Sequence, residues 1–544
     1  MTQTTQKNKI WLALAPWLLP CAVYGLVWLV FGVRYEVNDD AILANIASGA
    51  YGPDSQYLVY MNIAIGWLLK PLYWLVPGFN WLYGLQTLGV LAALGVVCNL
   101  LCKKLGATRG LLVGLILLML AGVDAFYSFQ YVKNSGLYLI TGFALLSEDL
   151  GRWNRRAFAG IFWVVLGALV RDQMFVAVGA LAAPLLLFRF IPLDGQGKKR
   201  AVTTMAALFA LVGVLFGINA LAYTLDDGWH AFQKYNQVRT RLSDFQLQYA
   251  TPEHMAGLGY SANDLDVLKG WSFWDDQVFG AQQLEEISTT LPGNDPVRAA
   301  KETAYRLLFV LDGAPFHLFL VGASLVWLFF SRQTKSWVFP ATALMFALLV
   351  FYLSLQGRYV HRVEYVLVVG TAVLGLLGCR WQEQPILHSL RSLAFCTACI
   401  ACVCFPTWQT IRTDMIQYRI DRANRTGILE HITSKDHLYL ADVDAVDILS
   451  GYDVLRPREK DFFSNIVEMG GWLSHAPHRI QTLAQYQVTH PYLDMVSREG
   501  VYLLDAYNVE VKRVYLDEHY SIQAEFESVA SDGMFHMLQV VGKS

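Results

Sequence analysis

The 544-residue chain is 55% hydrophobic and only 16% charged, with a formal net charge of −2 at pH 7. A soluble domain carries roughly 25% charged residues, so the composition points to a polytopic membrane protein. With no basic cluster interleaved with aromatics, it excludes nucleic acid as a partner.

Lys7 and Lys9 precede the first apolar run, Trp11 to Val33, which has no charge before Arg34. It is long enough to cross the roughly 30 Å hydrocarbon layer as a helix. No A-x-A-like cleavage site follows, so a retained anchor is expected, with a cytoplasmic N-terminus. Asn38-Asp39-Asp40 comes next, where the chain meets water again, and Ile42, Leu43 and Ile46 give a short amphipathic helix that stops at Gly49.

Further apolar runs cover 81–102, 110–127, 132–147, 157–170, 173–190, 201–224, 313–331, 337–355, 363–379 and 390–407, for eleven spans in all. The stretch 57–76 holds Lys70-Pro71 and ends at Pro77-Gly78. If it lies flat in the interface, inward connections carry Lys103, Lys104, Arg109, Arg152, Arg155, Arg156, Arg189, Lys198, Lys199, Arg200, Arg332 and Lys335. The short outward ones then hold only Arg34, Lys133, Arg171, Arg358 and Arg362, the asymmetry expected of a cytoplasmic and an outer side. Spans 132–147 and 157–170 are short, and Arg171-Asp172-Gln173 between two apolar helices implies a recess open to the outside.

On this threading the loop 225–306, with Asp226-Asp227-Gly228-Trp229, Tyr235-Asn236 and Trp271-Ser272-Phe273-Trp274-Asp275-Asp276, lies outside. So does the tail, 409–544. The tail reads as a mixed α/β domain: strands at Leu438 to Leu440 and Val501 to Leu504, a helix from Arg479 to Gln487, and a hairpin from Ser521 to Val541 turning at Asp532-Gly533. Residues 1–408 form the transmembrane part. All eight cysteines lie in or at the ends of apolar runs, so no disulfide framework is expected. Cys396, Cys399 and Cys402 recur at helical spacing but lack His or acidic neighbours, which favours small buried hydrophobes over a metal site.

Asp39 and Asp40 are candidates for a general base, because apolar surroundings push a carboxyl pKa upward. Asn38 or Asp39 is also a natural helix N-cap, and a cap at Asp39 would weight the base role towards Asp40. Arg171, Arg358 and Arg362 are suited to a phosphate in a partly dry site, against the plainer reading of snorkelling or headgroup contact. Lys133 could join them. Trp271 and Trp274 offer flat faces to a sugar or lipid, and Asp172 and His361 complete the candidate substrate contacts, although loop aromatics more often pack locally.

An N-terminal span followed at once by an outward loop with an acidic pair, interfacial helices, about eleven spans and an outer C-terminal domain resembles the GT-C superfamily of membrane glycosyltransferases. The resemblance covers the first 180 or so residues and the general topology. It implies that Asp39 and Asp40 are the first-loop acids contributing the catalytic base, and that the donor is a sugar on a polyprenyl phosphate. Arginines would neutralise the departing lipid phosphate, so no cofactor is required, and a divalent metal is possible without being called for. No second acidic motif is assigned, Asp124 being a candidate only.

The resulting expectation is an outer-face glycosyltransferase of a bacterial cytoplasmic membrane, inverting if displacement is direct. Its acceptor would be an envelope glycan, lipid or protein. The alternatives are a transporter or flippase of lipid-linked sugars, a glycan ligase or polymerase, and a non-catalytic envelope assembly protein. Against a transporter, there is no internal inverted repeat and the polar residues gather on one side.

Overall fold

A computed structural model describes residues 2–291, 295–308, 323–324, 337–379, 408–420, 427–432, 434–449, 453–506, 508–532 and 535–543. Among these, six helices are long and apolar enough to cross a membrane: Ala13–Val30, Trp81–Leu105, Ala107–Tyr127, Asp172–Phe190, Gly195–Leu225 and Val338–Leu355. Three more of the expected spans are helices of 16 to 18 residues: Tyr131–Glu148, Arg155–Val170 and His361–Leu377. The runs 313–331 and 390–407 fall almost wholly outside the described residues, so nine of the eleven expected spans are seen as helices among the described residues.

Tyr131–Glu148 sits at the centre of the helical part, with every residue from Tyr131 to Ser147 buried. Gly142 and Gly160 face one another across its contact with Arg155–Val170, where a Cβ on either would meet the other's carbonyl oxygen at about 3 Å. The 57–76 stretch contains the helix Ile63–Leu75, only 13 residues long. At 1.5 Å per residue it reaches about 20 Å, short of the hydrocarbon thickness. Its Trp67, Leu68, Trp74 and Leu75 are exposed, while Lys70 pairs with Asp54 at 3.3 Å, as suits a helix lying in an interface.

Two short strands position the acidic pair. β1 (Arg34–Tyr35) leaves the first helix and runs parallel to β2 (Ser128–Phe129) at the end of the third, and the Glu36 N–H continues the pairing to Phe129 O at 3.0 Å. The chain then turns into the helix Asp39–Ser48, which Gly49 ends in the left-handed conformation (φ 85°), its N–H reaching Asn45 O and Ile46 O.

The tail holds a five-stranded mixed sheet of β3 (Leu438–Ala441), β4 (Ile466–Glu468), β5 (Val501–Asp505), β6 (Gln523–Asp532) and β7 (Phe535–Lys543), in the order β4-β3-β5-β7-β6. β3 runs parallel to β4 and β5, whereas β7 is antiparallel to β5 and β6. The expected strands and hairpin are present, residues 533–534 of its turn lying outside the described residues. The expected helix runs Pro477–Gln485.

One core joins the long loop to the tail: Tyr235, Leu242, Phe273, Trp274, Phe279 and Ile287 pack with Leu438, Leu440, Tyr492, Leu503, Tyr515 and Val540. The tail also docks on the first loop through backbone bonds, from Phe463 N to Ala50 O (2.7 Å), Asp461 N to Gly49 O (3.0 Å) and Asn80 N to Leu455 O (2.8 Å). The first loop, the long loop and the tail therefore lie together at one end of the helices.

Candidate active site

Where these parts meet there is a cavity of about 1130 Å³. Asp39, Arg171, Asp172, Arg358, Arg362 and Trp271 all line it, although they come from four separate stretches of the chain. Part of the wall is apolar helix surface, including Met174, Val176, Phe216, Leu349 and Tyr352. Val176 and Tyr352, on the apolar helices Asp172–Phe190 and Val338–Leu355, are exposed as well as lining the cavity, so the cavity opens beside apolar helix surface.

Asp39 is the first residue of its helix, preceded by Asn38, which makes no side-chain cap bond. The cap position thus falls to Asn38 rather than Asp39. Asp40 is fully buried and absent from the cavity wall, and its Oδ1 accepts the Tyr131 N–H at 2.9 Å. Burial pushes the Asp40 carboxyl well above the usual range, and the nearby charge of Asp39 adds to this. Asp39 is raised as well, again chiefly by burial, but the guanidiniums of Arg362, Arg171 and Arg358, in that order, hold the rise in check. Three cations therefore act on the Asp39 carboxylate.

Each arginine is held differently. Arg362 Nη2 lies 3.9 Å from Asp39 Oδ2. Arg171 leaves the end of Arg155–Val170, donates to Gln173 Oε1 at 2.9 Å and lies over the rings of Tyr60 (5.4 Å) and Tyr131 (5.9 Å). Arg358 is paired with Asp244, which belongs to a π-helical turn, Arg241–Gln246, in the long loop. Such turns recur at functional sites.

The other expected residues stand elsewhere. Lys133 is fully buried and its ammonium is taken by Glu36 (2.8 Å) and Asp124 (3.2 Å), which removes it from the phosphate set. His361 turns to the same Asp124 at 3.5 Å and does not line the cavity. Asp124 is thereby committed to Lys133 and His361. Trp274 is buried against His475, ring centres 4.9 Å apart, and offers no face to the cavity.

Asp275 and Asp276 of the long loop do not line the cavity. Asp275 accepts from Tyr515 (2.7 Å) and Tyr520 (2.6 Å) and pairs with His490 (3.2 Å). Burial works to raise its pKa, but the bonds from His490, Tyr520 and Tyr515 outweigh it and hold the group at about 2. Asp276 pairs with His475 at 2.6 Å. Among the described residues one trio, Asp264, Glu518 and His519, has metal-ligand spacing. Asp264 already completes a capping box with Ser261 and accepts from His519 at 2.7 Å, and none of the three lines the cavity.

Sequence reasoning missed Asp244, Tyr60, Asn236 and Trp472, all on the cavity wall. Only the Tyr235-Asn236 pair stood out as polar. Asp244 carries no local signal, since its partner lies more than a hundred residues on.

No protein-family model matches the chain, and no curated protein does. Similar solved structures include two crystal structures of ArnT from Cupriavidus metallidurans. The apo state is 13% identical, with a TM-score of 0.42. The second, bound to undecaprenyl phosphate, is 14% identical, with a TM-score of 0.39. In each, the match covers 96% of this chain and 97% of the other.

Proposed function

We propose that this chain is a membrane glycosyltransferase that moves a sugar from a polyprenyl-phosphate donor to a hydroxyl-bearing acceptor. One observation carries the reading: Arg171, Arg358 and Arg362 line one cavity with Asp39 and act on its carboxylate, and part of the same wall is apolar helix surface. Clustered arginines suit an anionic group, and the apolar wall suits a lipid tail attached to it.

In this reading Asp39 takes the proton of the acceptor hydroxyl as its oxygen bonds to the anomeric carbon. The bond from that carbon to the phosphate oxygen breaks, and polyprenyl phosphate leaves with the electron pair. Arg171, Arg358 and Arg362 stabilise the charge gathering on the phosphate. Direct displacement inverts the anomeric centre. The raised pKa of Asp39 suits a base working near neutral pH.

The site residues, the first loop and the tail share one end of the helices. The lysine and arginine asymmetry of the connections supports an extracytoplasmic position for that end, and we take the membrane to be a bacterial inner membrane. A purified sample given polyprenyl-phosphate sugars and candidate envelope acceptors tests the proposal. Release of polyprenyl phosphate coupled to glycosylated acceptor supports it, whereas transport of the intact lipid-linked sugar without turnover replaces it with the transporter reading.

A further inference from the structure

The three cavity arginines keep different company. Arg358 pairs with Asp244 and Arg362 stands 3.9 Å from Asp39, whereas no carboxylate among the described residues pairs with Arg171. The Arg171 guanidinium makes a single hydrogen bond to the described residues, to Gln173 Oε1 at 2.9 Å. The rest of its support is aromatic. Its Cζ lies 5.4 Å from the ring centre of Tyr60 and 5.9 Å from that of Tyr131, and the two rings are nearly parallel, 9° apart with centres separated by 6.4 Å.

Tyr60 reaches this position through a strained turn. Its N–H donates to Leu58 O at 2.6 Å, and Val59 between them has φ 61°, which makes a three-residue γ-turn of the rare positive-φ form. Positive φ is a genuine outlier for a β-branched residue, and such strain persists only where the surroundings impose it. The Val59 N–H donates to the Tyr223 hydroxyl at 2.9 Å, and Leu58 is fully buried. The Asn62 N–H donates to Leu169 O at 2.9 Å. Leu169 precedes Arg171 by two residues, so the segment that carries the ring is bonded to the helix end that carries the cation. From the tail, Trp472 packs on the Tyr60 ring with centres 4.7 Å apart. Tyr131 is fixed in turn by its own N–H, which donates to Asp40 Oδ1 at 2.9 Å.

We infer that Tyr60 is a positioning residue for the donor phosphate: its ring, with that of Tyr131, holds the Arg171 guanidinium by cation–π attraction in place of a counter-carboxylate. A carboxylate would occupy the N–H groups by which arginine grips phosphate. An aromatic ring engages the face of the guanidinium and leaves those in-plane N–H groups to the ligand. The inference rests on the proposed glycosyltransferase reading. It adds that Arg171 meets the donor without first displacing an acid, in contrast to Arg358.

Binding of polyprenyl phosphate to the full-length protein in nanodiscs tests this, with the Tyr60 ring weakened in steps. Tyr60 is replaced by phenylalanine and then by mono-, di- and trifluorophenylalanine, which keep the ring's shape while draining the negative charge of its face. Fluorine is scarcely larger than hydrogen, so every member of the series folds. Tyr60→Phe should retain most of the donor affinity. Each added fluorine should then lower it, by about threefold to thirtyfold over the series, the worth of one cation–π contact. In an Arg171→Ala background the same series should be flat, because the ring acts through that cation.

Constant affinity along the series in protein that keeps Arg171 would overturn the positioning role. So would an equal fall with and without Arg171, since the ring would then act independently of the cation. A wild type that binds no polyprenyl phosphate would instead sink the glycosyltransferase proposal, and the positioning role with it.

Discussion

The Arg362 guanidinium stands 3.9 Å from the Asp39 carboxylate, and both side chains are about one-sixth exposed. The gap is too long for a hydrogen bond yet short for Coulomb attraction. Arg362 therefore tunes the acid by its charge without occupying the lone pairs that would receive a proton.

The carboxylate itself comes first. Asp39→Asn preserves size and removes the proton-accepting group, and turnover of polyprenyl-phosphate sugar should fall by about 10² to 10⁴. Asp40→Asn should stay close to wild type, because its amide oxygen can still accept the Tyr131 N–H. The check is single-turnover rate at saturating donor for both variants, normalised to folded protein. The reverse ranking would return the base role to Asp40.

The pH dependence has a definite sign. Burial raises Asp39 and Arg362 opposes the rise, so removing the cation raises the pKa further. The base is active above its pKa. The acidic limb of kcat against pH should therefore move to higher pH in Arg362→Gln, measured at saturating donor so that lost affinity does not intrude. An unmoved limb would mean that Asp39 does not govern it.

Donor affinity separates the arginines from their counter-ions. Arg171→Ala and Arg358→Ala should weaken binding of polyprenyl phosphate, and Lys at either position should restore it only in part, having no planar fork. Asp244→Asn should act in the opposite direction and tighten binding several-fold, since Asp244 pairs with Arg358 where the phosphate would sit. Equal or weaker binding in Asp244→Asn would remove Arg358 from the phosphate set.

Sidedness is checked by thiol labelling of intact cells in a background without native cysteines. Glu253→Cys and Glu499→Cys should react with a membrane-impermeant reagent, and Arg152→Cys and Lys199→Cys should not. All four positions are exposed, so access is decided by the membrane. The opposite pattern would invert the topology and mean that 57–76 crosses the bilayer.

What could be read from the sequence was whatever a short stretch encodes by itself. The first-loop acids follow an uncharged run, Arg358 and Arg362 cluster in one short connection, and β3 and β5 are dense in aromatic and aliphatic residues. The three-residue β4 is too short to show a period. Lys133 looked like a lone interfacial lysine because Glu36 and Asp124 reach it only through the fold. Trp274 looked like an open platform because its burial depends on strands more than 150 residues downstream. The different settings of Asp39, on the cavity wall, and Asp40, buried and bonded to the Tyr131 N–H, arise from contacts 91 residues away and leave no mark in the first loop.

The apolar partnership between the long loop and the tail sets a schedule for biogenesis. The loop's half of that core ends at Leu291 and the tail's half begins at Leu438. At 5–20 residues per second, synthesis of the intervening chain takes roughly 7 to 30 s. Throughout that interval Phe273, Trp274, Phe279 and Ile287 have no sheet to cover them. The newborn loop is thus a stretch of chain that must be sheltered from aggregation until its partner arrives, and a tail expressed alone would emerge with the complementary face bare.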